Sequence, residues 1–213
     1  MSGGVLLLGA SGLAREVLAA GMTGVAGILD DDPARHGTTL DGVPVLGPIE
    51  AASGRSERLL VCVGPSGARA DVVARLARAG VGEERYATFL APSSRIGRTS
   101  DVAPGTIVLD GVVVTAHVRI GAHVVLMPGC IVTHDDVLGD VVTLAAGVTL
   151  GGGVTVGERA YIGMNASVRQ GVRIGSSATV GMGAVVLSDV PAAETWAGVP
   201  ARALDPSTAS VRR

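Results

Sequence analysis

The residues of this chain best suited to acid–base chemistry are an adjacent histidine and aspartate, His134 and Asp135. A histidine accepts a proton near neutral pH, and a neighbouring carboxylate holds its ring in one tautomer and raises its basicity. Gly152 follows 18 residues later, which would leave room for the imidazole and offer a backbone N–H to a developing oxyanion. The pattern indicates a general base beside an oxyanion group. A surface His–Asp pair without a catalytic role is the alternative.

The offset of 18 residues comes from a six-residue repeat between Ile96 and Val190. Sixteen consecutive hexads begin with an aliphatic residue: Ile96, Val102, Val108, Val114, Ile120, Leu126, Val132, Leu138, Leu144, Leu150, Val156, Ile162, Val168, Ile174, Val180 and Val186. This period is typical of a parallel β-helix, in which three hexads make one triangular coil and neighbouring coils stack about 4.8 Å apart. The side chain four places later is usually small, and both positions should point inward. An aromatic content of 2% agrees with such a narrow interior.

Two further features of the repeat lead to expectations. Glycine often follows the aliphatic residue, and we expect these glycines at corners where a positive φ is needed; they are Gly97, Gly121, Gly139, Gly157, Gly163, Gly175 and Gly181. Outward apolar residues form a stripe, Leu109, Val113, Met127 and Ile131, which pairs by the 18-residue rule. An apolar stripe commonly marks an interface, so we expect a homotrimer with the active groove between subunits. A simple surface patch is the alternative.

Residues 1–90 lack the six-residue period and read as a small Rossmann-like α/β domain. Strands are predicted at 5–8, 25–29, 59–63 and 86–90, with helices at 13–20 and 70–79. Strands that alternate with helices indicate an open parallel sheet. Residues 91–213 then form the β-helix domain, with residues 91–94 as the connection. A cap at 196–202 follows Pro191, and the last ten or so residues are expected to fray.

A glycine-rich turn follows the first strand of this predicted domain. In Gly9-Ala-Ser-Gly12 the glycines would let backbone N–H groups approach a phosphate at the helix terminus. Asp30 and Asp31 end the second strand on the same sheet edge, where they are placed to accept hydrogen bonds from a ribose or base. The alternatives are a tight βα turn without a ligand and a solvated acidic turn.

Composition excludes several classes of function. A net charge of −2, a pI of about 6.1 and few aromatic residues argue against nucleic acid as a partner. We expect no membrane span, no signal peptide and therefore a cytoplasmic protein. Cys62 and Cys130 fall at apolar strand positions and are expected to be buried free thiols. No metal is expected because the solenoid histidines lack close spacing, although a site shared between subunits stays open.

Several motifs resemble those of the sugar O- and N-acetyltransferases typified by sialic acid O-acetyltransferase and the bacillosamine-pathway UDP-4-amino-sugar N-acetyltransferase, in the hexapeptide-repeat superfamily. They are Gly9-Ala-Ser-Gly-Leu-Ala-Arg-Glu16, Gly27-Ile-Leu-Asp-Asp31, Gly42-Val-Pro-Val-Leu-Gly47, Thr133-His-Asp135 with Gly139-Asp140, and Gly198-Val-Pro-Ala-Arg202. This chain departs from that family at five positions, which hold Ser11 in place of glycine, Leu13 and Thr143 in place of histidines, Ala146 in place of proline, and Asp136 in place of a small residue.

The resemblance implies a fold and a set of site residues. It implies a left-handed β-helix, a homotrimer, and acetyl-CoA as a co-substrate, with no permanently bound cofactor. His134 would be the general base and Asp135 its orienting acid. The nucleotide sugar would lie at Gly9, Ser11, Gly12, Leu13, Asp30 and Asp31. Acetyl-CoA would lie along Thr143, Gly152, Met164, Gly181, Gly183, Ala201 and Arg202.

We therefore expect an acetyl-CoA-dependent enzyme that acetylates the amine of a nucleotide-linked amino sugar by direct transfer. O-acetylation of a free acidic sugar such as sialic acid is the nearer alternative. The alternative from another class is a non-catalytic trimer that binds nucleotide sugars as a scaffold.

Overall fold

The first part of the chain folds as an open α/β sheet in the computed structural model, which describes residues 4–205. Its elements are β1 (Val5–Leu8), α1 (Gly12–Ala19), β2 (Val25–Leu29), β3 (Thr39–Leu40), β4 (Val43–Gly47), β5 (Arg58–Val61) and α2 (Ser66–Arg78), with 3₁₀ turns at Pro33–Arg35, Ile49–Gly54 and Glu83–Arg85. The strand order is β3-β4-β2-β1-β5, with only β3–β4 antiparallel. No helix within residues 4–205 is long and apolar enough to cross a membrane.

The β3–β4 hairpin was not predicted as strand, because Pro44 and the glycines at both ends of Gly42–Gly47 lower the strand signal. Its partner β2 runs over the predicted residues, and β1 does too. Helix α2 begins at Ser66, four residues before the predicted start. The residues from about 204 that were expected to fray lie almost entirely in 206–213, outside the described residues.

The second part of the chain is a triangular parallel β-helix. Its strands are β6 (Phe89–Leu90), β7 (Arg95–Ile96), β8 (Asp101–Val102), β9 (Ile107–Val108), β10 (Val113–Val114), β11 (Arg119–Ile120), β12 (Val125–Leu126), β13 (Ile131–Val132), β14 (Val137–Leu138), β15 (Thr143–Leu144), β16 (Thr149–Leu150), β17 (Thr155–Val156), β18 (Tyr161–Ile162), β19 (Ser167–Val168), β20 (Arg173–Ile174), β21 (Thr179–Val180) and β22 (Val185–Val186), with β23 (Thr195–Ala197) and β24 (Arg202–Ala203) as the cap. Partners in successive coils differ by 18 residues, as the period predicts.

Three sheets form the faces of this prism. The first face contains β7, β10, β13, β16, β19 and β22; the second contains β8, β11, β14, β17 and β20; the third contains β6, β9, β12, β15, β18 and β21, followed by the cap. The leading aliphatic side chains of the hexads fill the interior, together with the small residues four places later. The prediction of a hexapeptide-repeat solenoid is confirmed.

The expected role of the corner glycines is wrong. None of the glycines that follow the aliphatic residue has a positive φ; that conformation occurs two positions later, as in Gly105, Gly129 and Asp135. The glycines are needed because the next coil approaches them closely. A β-carbon on Gly139, for example, would lie 2.7 Å from the backbone nitrogen of Glu158.

The fourth strand predicted for the α/β sheet at 86–90 is also wrong. Tyr86 makes a single bridge to Leu59, whereas β6 pairs with β9 in the third face of the solenoid. The six-residue phase explains this, since Leu90 precedes Ile96 by one hexad.

The apolar stripe expected at a subunit interface is divided in two. Leu109 is 1% exposed and belongs to an apolar cluster with Leu13 and Val17 of α1, and Met127 packs against the same cluster. The α/β sheet thus covers this half of the stripe within one chain. Val113 and Ile131 pair on the first face and remain partly or largely exposed.

Arg69 of α2 joins the two parts of the chain. Its guanidinium is fully buried and donates to Val63 O and Gly64 O on one side, and to His123 O, Val141 O, Val142 O and Thr143 Oγ1 on the solenoid side. Burial lowers the pKa of Arg69 to about 10, which still leaves it charged at neutral pH. The loop after β5 is therefore fixed against the third face.

Candidate active site

His134 and Asp135 occupy a corner between the first and second faces, in the turn after β13. His134 Nδ1 lies 2.8 Å from Asp135 Oδ2, and the two side chains are 68% and 63% exposed. A carboxylate can only accept, so Nδ1 carries the proton and Nε2 presents its lone pair. Asp135 has φ +64°, a left-handed conformation that aspartate tolerates better than most residues. The contact with Asp135 thus leaves Nε2 as the ring nitrogen that faces away from the carboxylate.

Gly152 lies against the imidazole at the same corner, one coil above His134. A β-carbon on Gly152 would overlap Cε1 and Nε2 of His134. Gly153 N donates to His134 O at 2.9 Å, which ties the two coils together. The Gly152 N–H has no hydrogen-bond acceptor within residues 4–205. The structure thus brings His134, Asp135 and Gly152 together.

Asp136 is the unexpected member of this turn. Its carboxylate is fully buried inside the prism and accepts from Thr133 N and Val154 N, both at 2.8 Å. Burial raises the pKa of Asp136 to about 6. In the sequence this residue stands out only as a departure from the family pattern. The signal that identifies it is its inward hexad position, which is otherwise apolar or small.

The glycine-rich turn connects β1 to α1 at the carboxyl edge of the α/β sheet, as predicted. Gly9 has φ +105° and would bring a β-carbon within 3.0 Å of Cys62 O. Ser11 caps α1, because its hydroxyl accepts from Leu13 N and Ala14 N and donates to Cys62 O at 2.6 Å. Gly12 is exposed, and a β-carbon added to it would have no atom within 4 Å. Of these residues Gly12 alone leaves open space that a ligand can fill.

The other predicted sugar-nucleotide residues have internal partners. The Leu13 side chain is 6% exposed and packs in the apolar cluster, so it presents no surface to a ligand. Asp30 accepts from Ala10 N and Asp32 N, and thereby holds the glycine-rich turn to the end of β2. Asp31 accepts from Ile49 N and pairs with Arg75.

A cavity of about 1170 Å³ lies between the α/β sheet and the solenoid. On the solenoid side it is lined by the third face and by the corner where the third face meets the first. Thr143 and Met164, two of the predicted acetyl-CoA residues, line it. Thr143 is only 4% exposed, and its hydroxyl lies 2.9 Å from Ser66 Oγ and 2.8 Å from Arg69. At the position of the family histidine, this threonine therefore joins the α/β sheet region to the solenoid. The charged groups lining the cavity are Glu16 and Arg159, which the sequence patterns did not identify.

Apart from Gly152, which lies against His134, the remaining predicted acetyl-CoA residues lie near the far end of the solenoid. Gly183 N donates to Met164 O at 2.7 Å, and Met182, the residue before this glycine, stacks one coil above Met164. Gly181 packs against Ala197 of the cap. Ala201 is buried at the end of the prism, and Arg202 is exposed with its guanidinium on Ala201 O.

Within one chain, the candidate base and the predicted acetyl-CoA residues of the third face lie in separate regions. His134 and Gly152 lie at one corner of the prism, whereas Met164 and Gly183 lie at the corner on the other side of the first face. Three exposed apolar side chains, Met164, Met182 and Leu187, lie on or beside that face together with Ile131. The solenoid histidines do not converge on a metal site: His123 is buried edge-on against Tyr86, whereas His134 is exposed.

Comparison with known proteins gives matches of two kinds. The family described as bacterial transferase hexapeptide (six repeats) matches residues 153–188. Sequence comparison with curated proteins gives no significant match.

Solved structures match over nearly the whole chain. A variant of perosamine N-acetyltransferase from Caulobacter crescentus, in complex with CoA and GDP-perosamine, has 32% identity and a TM-score of 0.86 over 96% of this chain and 98% of that chain. The acetyltransferase domain of PglB from Neisseria gonorrhoeae, in complex with acetyl coenzyme A, has 28% identity and a TM-score of 0.86 over 96% and 100%. WeeI from Acinetobacter baumannii has 26% identity and a TM-score of 0.74 over 94% and 99%. With its left-handed β-helix and its full-length similarity to such enzymes, the chain belongs to the hexapeptide-repeat family of sugar O- and N-acetyltransferases, which use acetyl-CoA as co-substrate.

Proposed function

We propose that this protein transfers the acetyl group of acetyl-CoA to the amine of a nucleotide-linked amino sugar. The observation that carries the proposal is the His134–Asp135 pair over Gly152, with Nε2 free to accept a proton. The match to an N-acetyltransferase with GDP-perosamine bound favours an amine acceptor on a nucleotide sugar.

The reaction is a direct transfer. The sugar nitrogen attacks the thioester carbonyl carbon while His134 Nε2 accepts a proton from that nitrogen. The Asp135 carboxylate stabilises the imidazolium that forms, and the Gly152 N–H donates to the oxyanion. The carbon–sulfur bond then breaks and CoA leaves as the thiolate, which yields the N-acetyl sugar. Cys130 is fully buried in the interior of the prism, and burial raises the pKa of its thiol to about 11, so neither its position nor its protonation favours a covalent route through this cysteine.

In this proposal each of the two parts of the chain binds one of the two substrates. The nucleotide sugar binds at the carboxyl edge of the sheet beside Gly12, and acetyl-CoA binds along the solenoid beside Met164, Gly183 and Arg202. Ligands of open α/β sheets bind at this edge, where strand order reverses. The two buried free thiols, Cys62 and Cys130, fit a reducing compartment such as the cytoplasm.

Gly12→Val tests the sugar-nucleotide site. The β-carbon meets open space within the protein, so the variant should fold normally while its side chain fills the position proposed for the ligand. Steady-state kinetics should show a higher KM for the nucleotide sugar, on the order of tenfold or more, which corresponds to about 1.4 kcal/mol of lost binding. The KM for acetyl-CoA is the internal control. An equal rise in both KM values would contradict the proposal that the two substrates bind at separate sites.

The proposed assembly is a homotrimer in which the His134 corner of one subunit meets the Met164 corner of its neighbour. Exposed apolar residues on the first face, which these corners border, support it. Ile131→Glu should dissociate the trimer, as measured by light scattering, because it introduces a charge at a buried interface. Leu46→Glu, at a similarly exposed leucine of the α/β sheet, is the matched control. A monomeric wild type, or an Ile131→Glu trimer, would exclude this arrangement.

A further inference from the structure

Asp136 is a carboxylate within a column of valines. The residues that stack on it one coil below and one coil above are Val118 and Val154, and all three are fully buried. An ionised carboxylate in such a position loses its hydration and is tolerated only where hydrogen bonds replace the water. The raised pKa of Asp136 reflects this unfavourable burial. A small or apolar side chain would be less costly to bury at this position, so the presence of the carboxylate calls for an interaction that such a side chain could not make.

The two hydrogen bonds of Asp136 connect the coils that form the candidate active site. Oδ2 accepts from Thr133 N, the residue before His134, at 2.8 Å. Oδ1 accepts at 2.8 Å from Val154 N, in the turn that carries Gly152. One side chain thus joins the turn of the proposed base to the turn of Gly152, one coil above.

The bond to Thr133 interrupts the β-ladder. At the same place in neighbouring coils of the first face, the amide donates to a carbonyl of the next coil: Gly97 N to Val114 O, Thr115 N to Val132 O, and Gly151 N to Val168 O, at 2.9 to 3.0 Å. Thr133 N donates to Asp136 instead, and its hydroxyl donates to Leu150 O at 2.9 Å. β13 and β16 accordingly pair at one position, whereas the other neighbours on this face pair at two.

Ser100 shows what a smaller side chain does in this column. It lies two coils below Asp136, and its hydroxyl accepts from Val118 N at 3.0 Å, as Asp136 accepts from Val154 N. The Ser100 hydroxyl donates to Thr115 O, and the ladder between β7 and β10 in that coil is intact, with two paired positions. A hydroxyl therefore satisfies the amide of the next coil, and only the carboxylate also draws in the amide at the start of its own turn.

We propose that Asp136 is a positioning residue for His134: its buried carboxylate holds the Thr133 amide out of the ladder and so directs the imidazole over Gly152. The proposal rests on the proposed function in taking His134 as the base. It assigns to Asp136 a role in the orientation of the base and none in contact with substrate.

Asp136→Ser tests this role, with Ser100→Ala as the control that removes an equivalent inter-coil hydrogen bond away from the site. We expect kcat to fall by roughly 10- to 100-fold, because a small displacement of a catalytic group costs about that much. KM values for both substrates should change by less than about threefold, since neither binding region is altered. Ser100→Ala should keep its activity. Asp136→Asn keeps the shape of the side chain but replaces one acceptor oxygen with an NH₂ donor, so it should show the same loss of kcat. This variant takes the place of Asp136→Ser in the test if the serine variant fails to fold.

A crystal structure of Asp136→Ser gives a readout that does not depend on activity. We expect Thr133 N to donate to Leu150 O and His134 to leave its position over Gly152. If the ladder stays interrupted, or if kcat stays within about threefold of wild type while the fold is intact, the positioning role is wrong. A wild-type enzyme inactive on every amino sugar would instead refute the proposed function, and the crystal structure would still decide the geometry.

Discussion

Replacement of His134 by alanine should lower kcat by roughly 10²- to 10⁴-fold, the usual contribution of a positioned general base. Without the imidazole nothing in the turn accepts the proton of the attacking amine, because the Asp135 carboxylate lies on the Nδ1 side of the ring. The side chain is 68% exposed, so thermal stability and binding of CoA should be retained.

The controls for this experiment lie in the same region. Asp135→Asn should cost less than His134→Ala, because it disturbs the tautomer and charge while the base remains in place. His117 is another exposed histidine of the solenoid and lies one coil below Asp135, so His117→Asn is the matched control and should leave turnover unaffected. A His134→Ala enzyme with turnover within about threefold of wild type would show that His134 is not the general base.

Gly152→Ala should produce the next largest loss, about 10- to 100-fold in kcat. The added methyl group would occupy the space of Cε1 and Nε2 of His134, so the ring must move away from the proposed oxyanion donor. Gly152 does not have a positive φ, so alanine fits its backbone and the stability of the fold should be unchanged or slightly higher.

The neighbouring coils show why this glycine is specific to the site. The equivalent positions hold Ala116 one coil below His134 and Gln170 one coil above Gly152, so the backbone accepts side chains there. Gln170→Ala is the matched control, and it should keep full kcat. A Gly152→Ala enzyme with wild-type kcat would mean that the position of the imidazole in this structure is not the catalytic one.

The solenoid was predictable because its six-residue period follows from the way side chains stack on neighbouring coils. Each leading aliphatic residue from Ile96 to Val186 has one physical task, the filling of the prism, and residues 18 apart must be neighbours. The same arithmetic predicts that His134 lies over Gly152, and the structure has them in contact.

The six-residue period carries no information about which residues pack against the outer surface of the solenoid. Leu109 and Met127 were expected at a subunit interface because nothing in their spacing shows that α1 covers them. Arg69 was missed for the same reason, since its acceptors are backbone carbonyls that carry no sequence signal. The interrupted ladder at Thr133 depends on one inward carboxylate, Asp136, and its effect on its own turn is a matter of three-dimensional geometry that spacing does not encode.

The most direct test of the proposed function is transfer by the wild-type protein from acetyl-CoA to UDP- and GDP-linked amino sugars, with thiol release and product mass measured together. We expect one CoA thiol for each acetyl group gained, and an acetyl group that resists hydroxylamine because it is an amide. The matching sugars with a hydroxyl in place of the amine should not react. Binding of nucleotide sugars without thiol release would favour a scaffold, and a hydroxylamine-labile product would indicate O-acetylation; either result would contradict N-acetyl transfer.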